Sequence, residues 1–118
     1  GITVALVTSG DAEYAGTVTR RLTIDGFFSC VITSDSVSSL KPHPEPYLRA
    51  AEGLGAEAQH CVGIEDSGMG VSSLISAGMY AVAVHENVLH RPELSAAAEH
   101  FTSLTKVTDT VIQRLFRE

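Results

Sequence analysis

The sequence predicts an α/β fold built on a mostly parallel sheet, and three observations carry that reading. Short apolar runs rich in β-branched residues recur at residues 2–7, 28–33, 60–64 and 80–84. Near-continuous runs of this kind suit strands buried on both faces. Between them, apolar residues recur at helical spacing. Polar residues able to do chemistry then follow the runs: Thr8, Lys41 beyond a Ser-rich loop, and the adjacent pair Glu65-Asp66. Strands alternating with amphipathic helices form layered domains, and the carboxyl ends of parallel strands share one edge, where ligands bind.

Each element has its own signals. The first run ends at Thr8-Ser9-Gly10, a turn, and residues 11–22 then read as a helix with Ala15, Val18 and Leu22 at helical spacing. Asp25-Gly26 breaks the chain before the second run, and residues 34–40 form a polar loop. In Lys41-Pro42-His43-Pro44-Glu45-Pro46, the later prolines suit a helix's first turn, where a missing amide costs nothing. Tyr47, Leu48, Ala51 and Leu54 supply the stripe of that helix, and Gly55 its stop. After the third run, Asp66 or Ser67 caps a helix whose inner face is marked by Val71, Leu74, Ile75 and Gly78. Beyond the fourth run come a short helix at 92–97, a weak edge strand at 101–104, and a last helix capped by Thr108 and carrying Val111, Ile112, Leu115 and Phe116.

Composition narrows the function classes. The 118 residues suffice for one domain, 1–118, with an ordinary 44% hydrophobic and 19% charged content. Eight basic against fourteen acidic residues give a charge of −6 without a basic cluster, which argues against nucleic acid or an anionic membrane as partner. No apolar run approaches the roughly 20 residues of a membrane span. Cys30 and Cys61 form no CxxC and read as reduced core thiols of a cytoplasmic protein. The five histidines fit no metal-ligand spacing, and no GxGxxG is present.

The three separated polar signals acquire a common task if the crevice handles a phosphoryl group. Thr8 offers a hydroxyl, and the amides of Ser9 and Gly10 lie near a helix start, where anions are favoured. Lys41 offers a compact charge for phosphate oxygens, aimed inward by the Pro-His-Pro that follows. Glu65 and Asp66 are hard oxygen donors suited to Mg²⁺, which completes its shell with phosphate and water. Each residue alone has a plainer reading: a helix cap, a surface lysine, a capped turn. Their convergence on one sheet edge favours the chemical one.

Val7-Thr8-Ser9-Gly10, Leu40-Lys41-Pro42-His43-Pro44-Glu45-Pro46-Tyr47 and Gly63-Ile64-Glu65-Asp66-Ser67-x-x-Gly70 resemble, in order and spacing, the second, third and fourth motifs of the haloacid dehalogenase (HAD) superfamily. The likeness is to its phosphatase and β-phosphoglucomutase-like branch. The resemblance implies a Rossmann-like three-layer α/β/α core and Mg²⁺-dependent transfer from a small phosphorylated metabolite through an aspartyl phosphate. It implies that Thr8 and Ser9 bind phosphate, that Lys41 stabilises nucleophile and transferring group, and that Asp66 ligates Mg²⁺, with Glu65 a direct or outer ligand.

The departure is as informative. The family's first motif, Asp-x-Asp-x-Thr or Val, holds the nucleophile and the general acid/base, and no Asp-x-Asp occurs here; Asp11, Asp25, Asp35 and Asp109 are isolated. By the resemblance this is a core fragment, inactive alone, whose nucleophile strand and cap lie upstream. In the family that strand is central, between those ending at Thr8 and Asp66. The expectation is a marginal chain whose inner strands close on each other or pair with another chain, self-associating through exposed edges. Two alternatives carry no chemistry of this kind: a binding or scaffold protein that kept the fold, and a receiver-like signalling domain. The latter is disfavoured because its acidic pair precedes both Thr and Lys.

Overall fold

A computed structural model describes residues 2–107, 111 and 113. The alternating pattern becomes β1 (Ala5–Val7), α1 (Ala12–Arg21), β2 (Cys30–Ile32), α2 (Glu45–Leu54), β3 (Val62–Glu65), α3 (Gly68–Ala77), β4 (Tyr80–Val84) and β5 (Glu99–Phe101), joined by single helical turns. Asp11 caps α1 by accepting from the Tyr14 amide at 2.7 Å, and Ser67 caps α3 by accepting from Gly70. Gly55 and Gly78 end α2 and α3 at φ of 67° and 83°, left-handed values that a side chain would strain. No helix among the described residues is long and apolar enough to cross a membrane.

All strand pairs are parallel, but they form two sheets, β1-β2 and β3-β4-β5. The inner strands β1 and β3 do not close on each other. Between them runs a groove of about 740 Å³ lined by residues 2–7 on one wall and 60–64 on the other. Its two faces are covered by α2 and, opposite, by Leu104, Val107 and Val111. One core, of Tyr47, Ala51, Val71, Leu74, Ala83 and Leu94 among others, lies where α2 and α3 meet the sheet; Val82, Val107 and Val111 form a second beneath its other face.

Several expected faces shift. Residues 2–4 are not strand: the ladder with β2 pairs only Ala5–Val7 with Cys30–Ile32. Leu22 is 63% exposed, and α1 instead turns Ala15 and Thr19 inward, the Thr19 hydroxyl donating to the Ala15 carbonyl at 2.8 Å. Leu48 and Ile75 are exposed, and Gly78 is a terminus rather than part of an inner face. The helix expected at 92–97 is a single turn at Pro92–Leu94, and the edge strand lies at Glu99–Phe101 rather than 101–104. The helix expected from Thr108 falls mostly outside the described residues, although Val111 is buried.

Candidate active site

The carboxyl end of β1, the segment before α2 and the carboxyl end of β3 meet at one side chain. Lys41 Nζ donates to the Val7 carbonyl at 3.2 Å and lies 2.5 Å from Glu65 Oε2. One ammonium therefore ties the last residue of β1 to the last of β3, across the groove. Its stem is turned inward, as the proline pattern predicted; the Lys41-Pro42 peptide is cis. Four further bonds fasten this segment. Glu45 Oε1 accepts from the amides of Ser38 and Ser39, at 3.0 and 2.9 Å. The His43 carbonyl accepts from Ser73 Oγ at 2.7 Å, clamping the turn to α3. His43 Nδ1 accepts from the Glu45 amide at the start of α2, so this exposed histidine is a helix cap.

Glu65 is buried, and its Oε2 also accepts from the Tyr47 hydroxyl. Burial, then the carboxylate's charge, push the Tyr47 phenol far above its ordinary value, so it remains a donor. The Lys41 ammonium also stands 5.3 Å from the centre of the Tyr47 ring, a favourable cation–π placement. The carboxylate fits under α3 because Gly70 has no side chain: a Cβ there would come within 1.9 Å of Glu65 Oε1. Close helix–sheet packing is thus what Gly70 permits.

Asp66 lies in the bend just beyond the end of β3 and is exposed. Thr8 Oγ1 accepts from the Gly10 amide at 3.1 Å, which leaves the hydroxyl proton free to donate. Ser9 is exposed at the same turn. The structure thus joins Lys41, Glu65 and the end of β1 directly, with Thr8 and Ser9 one and two residues beyond Val7 and Asp66 one beyond Glu65. Sequence reasoning missed Tyr47, which it placed only in the apolar stripe. The available signal was that a buried phenol needs a hydrogen-bond partner.

Among the described residues, no three His, Cys, Asp or Glu side chains cluster as a ready metal cage. Glu65 is committed to Lys41 and Tyr47, which leaves Asp66 at this sheet edge, among the described residues, as the carboxylate open to a cation. That fits Mg²⁺, which commonly takes one or two protein carboxylates and leaves its other positions to phosphate and water.

A parallel α/β domain with a lysine, a hydroxyl and an acidic pair at one sheet edge defines a small-ligand domain of the Rossmann-like class. Comparison with known proteins narrows this. Residues 1–78 match the haloacid dehalogenase-like hydrolase family, and the chain belongs to that family. It is 35% identical over 76 residues to β-phosphoglucomutase of Bacillus subtilis, covering 64% of this chain and 34% of that protein. It is 32% identical over 84 residues to phosphoglycolate phosphatase of Escherichia coli K12, covering 71% and 33%. The crystal structure of β-phosphoglucomutase from Clostridium difficile superposes with a TM-score of 0.83 at 30% identity, over 97% of this chain and 48% of that one. The chain therefore spans about a third of these curated relatives and about half of the solved one.

Proposed function

We propose that this chain supplies the phosphate-binding and charge-neutralising part of a Mg²⁺-dependent phosphomonoester hydrolase or phosphomutase. The observation that carries the reading is the single ammonium of Lys41 held at the sheet edge between β1 and the buried Glu65 carboxylate. A lysine fixed there by a buried anion is pre-oriented toward an incoming phosphate, so little reorganisation is needed as charge develops. The Thr8 hydroxyl and the Ser9 amide donate to phosphate oxygens. Glu65 and Tyr47 position Lys41. Asp66 holds Mg²⁺, which when bound offsets negative charge on the transferring group.

The attacking carboxylate comes from a segment outside these 118 residues, since no Asp-x-Asp lies within them. In the complete reaction its oxygen bonds to phosphorus as the ester P–O bond breaks and the leaving alcohol takes a proton. Water or a sugar hydroxyl then accepts the phosphoryl group. The relatives named for phosphoglucose and phosphoglycolate chemistry favour a small phosphorylated metabolite as substrate.

Two measurements test this. With Mg²⁺ and an aryl phosphate, the isolated chain is expected to show no turnover above buffer; clear turnover refutes the external nucleophile. Titration with inorganic phosphate and Mg²⁺, followed by amide NMR, is expected to shift Thr8, Ser9 and Gly10. Shifts confined elsewhere, or none, would remove the phosphate site.

A further inference from the structure

The turn from Thr8 to Gly10 has an aromatic neighbour. Tyr14 is 60% exposed, yet its ring is not loose, because it lies along Gly10. A Cβ at Gly10 would come within 2.6 Å of Tyr14 Cδ2, 3.3 Å of its Cε2 and 3.4 Å of Thr8 Oγ1. The ring and the Thr8 hydroxyl therefore flank the same face of one residue, and the ring comes that close because glycine has no side chain. The backbone beneath is fixed as well. The Tyr14 amide donates to Asp11 Oδ1 at 2.7 Å and the Ala12 amide to Asp35 Oδ2 at 2.9 Å. The Ser34 amide, next to Asp35, donates to the Gly10 carbonyl at 2.9 Å. Amides in the first turn of a helix ordinarily attract anions; these two already face carboxylates.

We infer that Tyr14 selects the alcohol side of the substrate, and that this alcohol carries an uncharged ring and no second anionic group. The inference rests on the phosphoryl-site reading, since a phosphate on the Thr8 hydroxyl is what brings the ester beside Tyr14. Thr8 Oγ1 already accepts from the Gly10 amide, so its proton is left for a phosphate oxygen about 2.7 Å away. The bound ester then lies on the side of Gly10 that the ring occupies. An exposed aromatic face gains by covering another flat apolar face, whether of an aryl group or of a sugar ring, and gains little from a short chain. Charge works in the same direction. Asp11 and Asp35 stand at the start of α1 and repel a second phosphate or carboxylate, and the amides that could have received one are taken.

NMR titrations of the full chain with Mg²⁺ test this, using inorganic phosphate, ethyl phosphate, phenyl phosphate, a hexose monophosphate and phosphoglycolate. The amides of Thr8, Ser9 and Gly10 report the phosphoryl group, and the Tyr14 ring protons report the alcohol. Phenyl phosphate should bind about three- to tenfold tighter than ethyl phosphate and shift the Tyr14 ring. Phosphoglycolate should bind more weakly than ethyl phosphate. A hexose phosphate that matches phenyl phosphate identifies the ring as a sugar's; one that matches ethyl phosphate identifies it as aromatic. Tyr14→Phe should keep the phenyl-to-ethyl ratio and Tyr14→Ala should bring it close to one, the wild-type and Phe titrations carrying the test should the Ala variant not fold. Equal binding of phenyl and ethyl phosphate, with Thr8, Ser9 and Gly10 shifting for both, would overturn the role of Tyr14 and leave the phosphate site standing. So would a ratio that survives in Tyr14→Ala. Phosphoglycolate binding as tightly as ethyl phosphate would overturn the exclusion of a second anion. Inorganic phosphate that leaves those three amides unmoved would remove the phosphate site and this inference with it.

Discussion

The halves of the molecule on either side of the groove are built to different standards. On the β3-β4-β5 side, Val71, Leu74, Val82 and Leu94 are almost wholly withdrawn from solvent. On the β1-β2 side Ile32 and Ala15 are buried, while Leu22, Phe27 and Val31 stand exposed. The first half can hold its shape by packing. The second is fastened to it by α2, which packs against β1, β2 and α3 together, and by Lys41. Glu65 and Asp66 thus sit on a fixed platform, while Thr8 and Ser9 sit on a tethered one. The site's geometry depends on the tether.

The largest expected effect tests the difference in packing. Leu74→Ala, at a fully buried position whose side chain also fills the space above Gly63, should cost about 3–5 kcal/mol in urea unfolding. Phe27→Ala, at a residue 70% exposed, should change stability by no more than about 0.5 kcal/mol. Comparable losses at the two positions would mean that the halves share one core, and the contrast would fail.

The tether itself comes next. The Lys41 and Glu65 side chains are 12% and 7% exposed, so Lys41→Met leaves a buried carboxylate with Tyr47 as its remaining side-chain donor. The expected loss is about 3 kcal/mol, the low end for breaking such a pair because some of the lysine still reaches water. Combining it with Glu65→Gln should recover much of that loss in a double-mutant cycle. Hydrogen exchange sharpens the point: in Lys41→Met the β1-β2 amides should open before those of Val82 and Ala83. Simultaneous opening would show that Lys41 is not what joins the halves.

The residues that make up this arrangement were legible to different degrees. Residues 80–84 form the expected strand because neighbours on both sides complete their ladders. Residues 2–7 carry the same buried-strand pattern, yet only 5–7 pair, because β2 offers partners only at Cys30–Ile32; hydrophobic periodicity does not reveal how far a neighbouring strand extends. The inward turn of Lys41 could be read from its prolines. The division of labour between Glu65 and Asp66 follows from where β3 stops: Glu65 is its last residue and is buried, while Asp66 lies in the bend beyond it and meets solvent, a boundary that an apolar run followed by two acids does not mark. Tyr47 was hidden because helical spacing reports that a side chain is buried, not where its hydroxyl ends. Leu22 and Ile75 fit a helical stripe but lie on faces that nothing covers.

The smallest expected effect concerns the approach to the tether. Glu45 anchors Ser38 and Ser39, just ahead of Lys41, and those two amides hold its carboxyl below the ordinary value of 4.5. Because the folded pKa is the lower one, the carboxylate's contribution to stability is fully present above about pH 4.5. It is lost as pH falls through the folded value. Glu45→Gln should therefore flatten the acid limb of the stability curve slightly and lower the neutral plateau by a comparable small step. Since Ser38 and Ser39 are the amides Glu45 holds, the change should register mainly as faster amide exchange there. Loss of protection there with β3 and β4 unaffected would place the first acid-induced loosening on the tethered half. A uniform loss across both halves would show that acid acts on the whole fold at once.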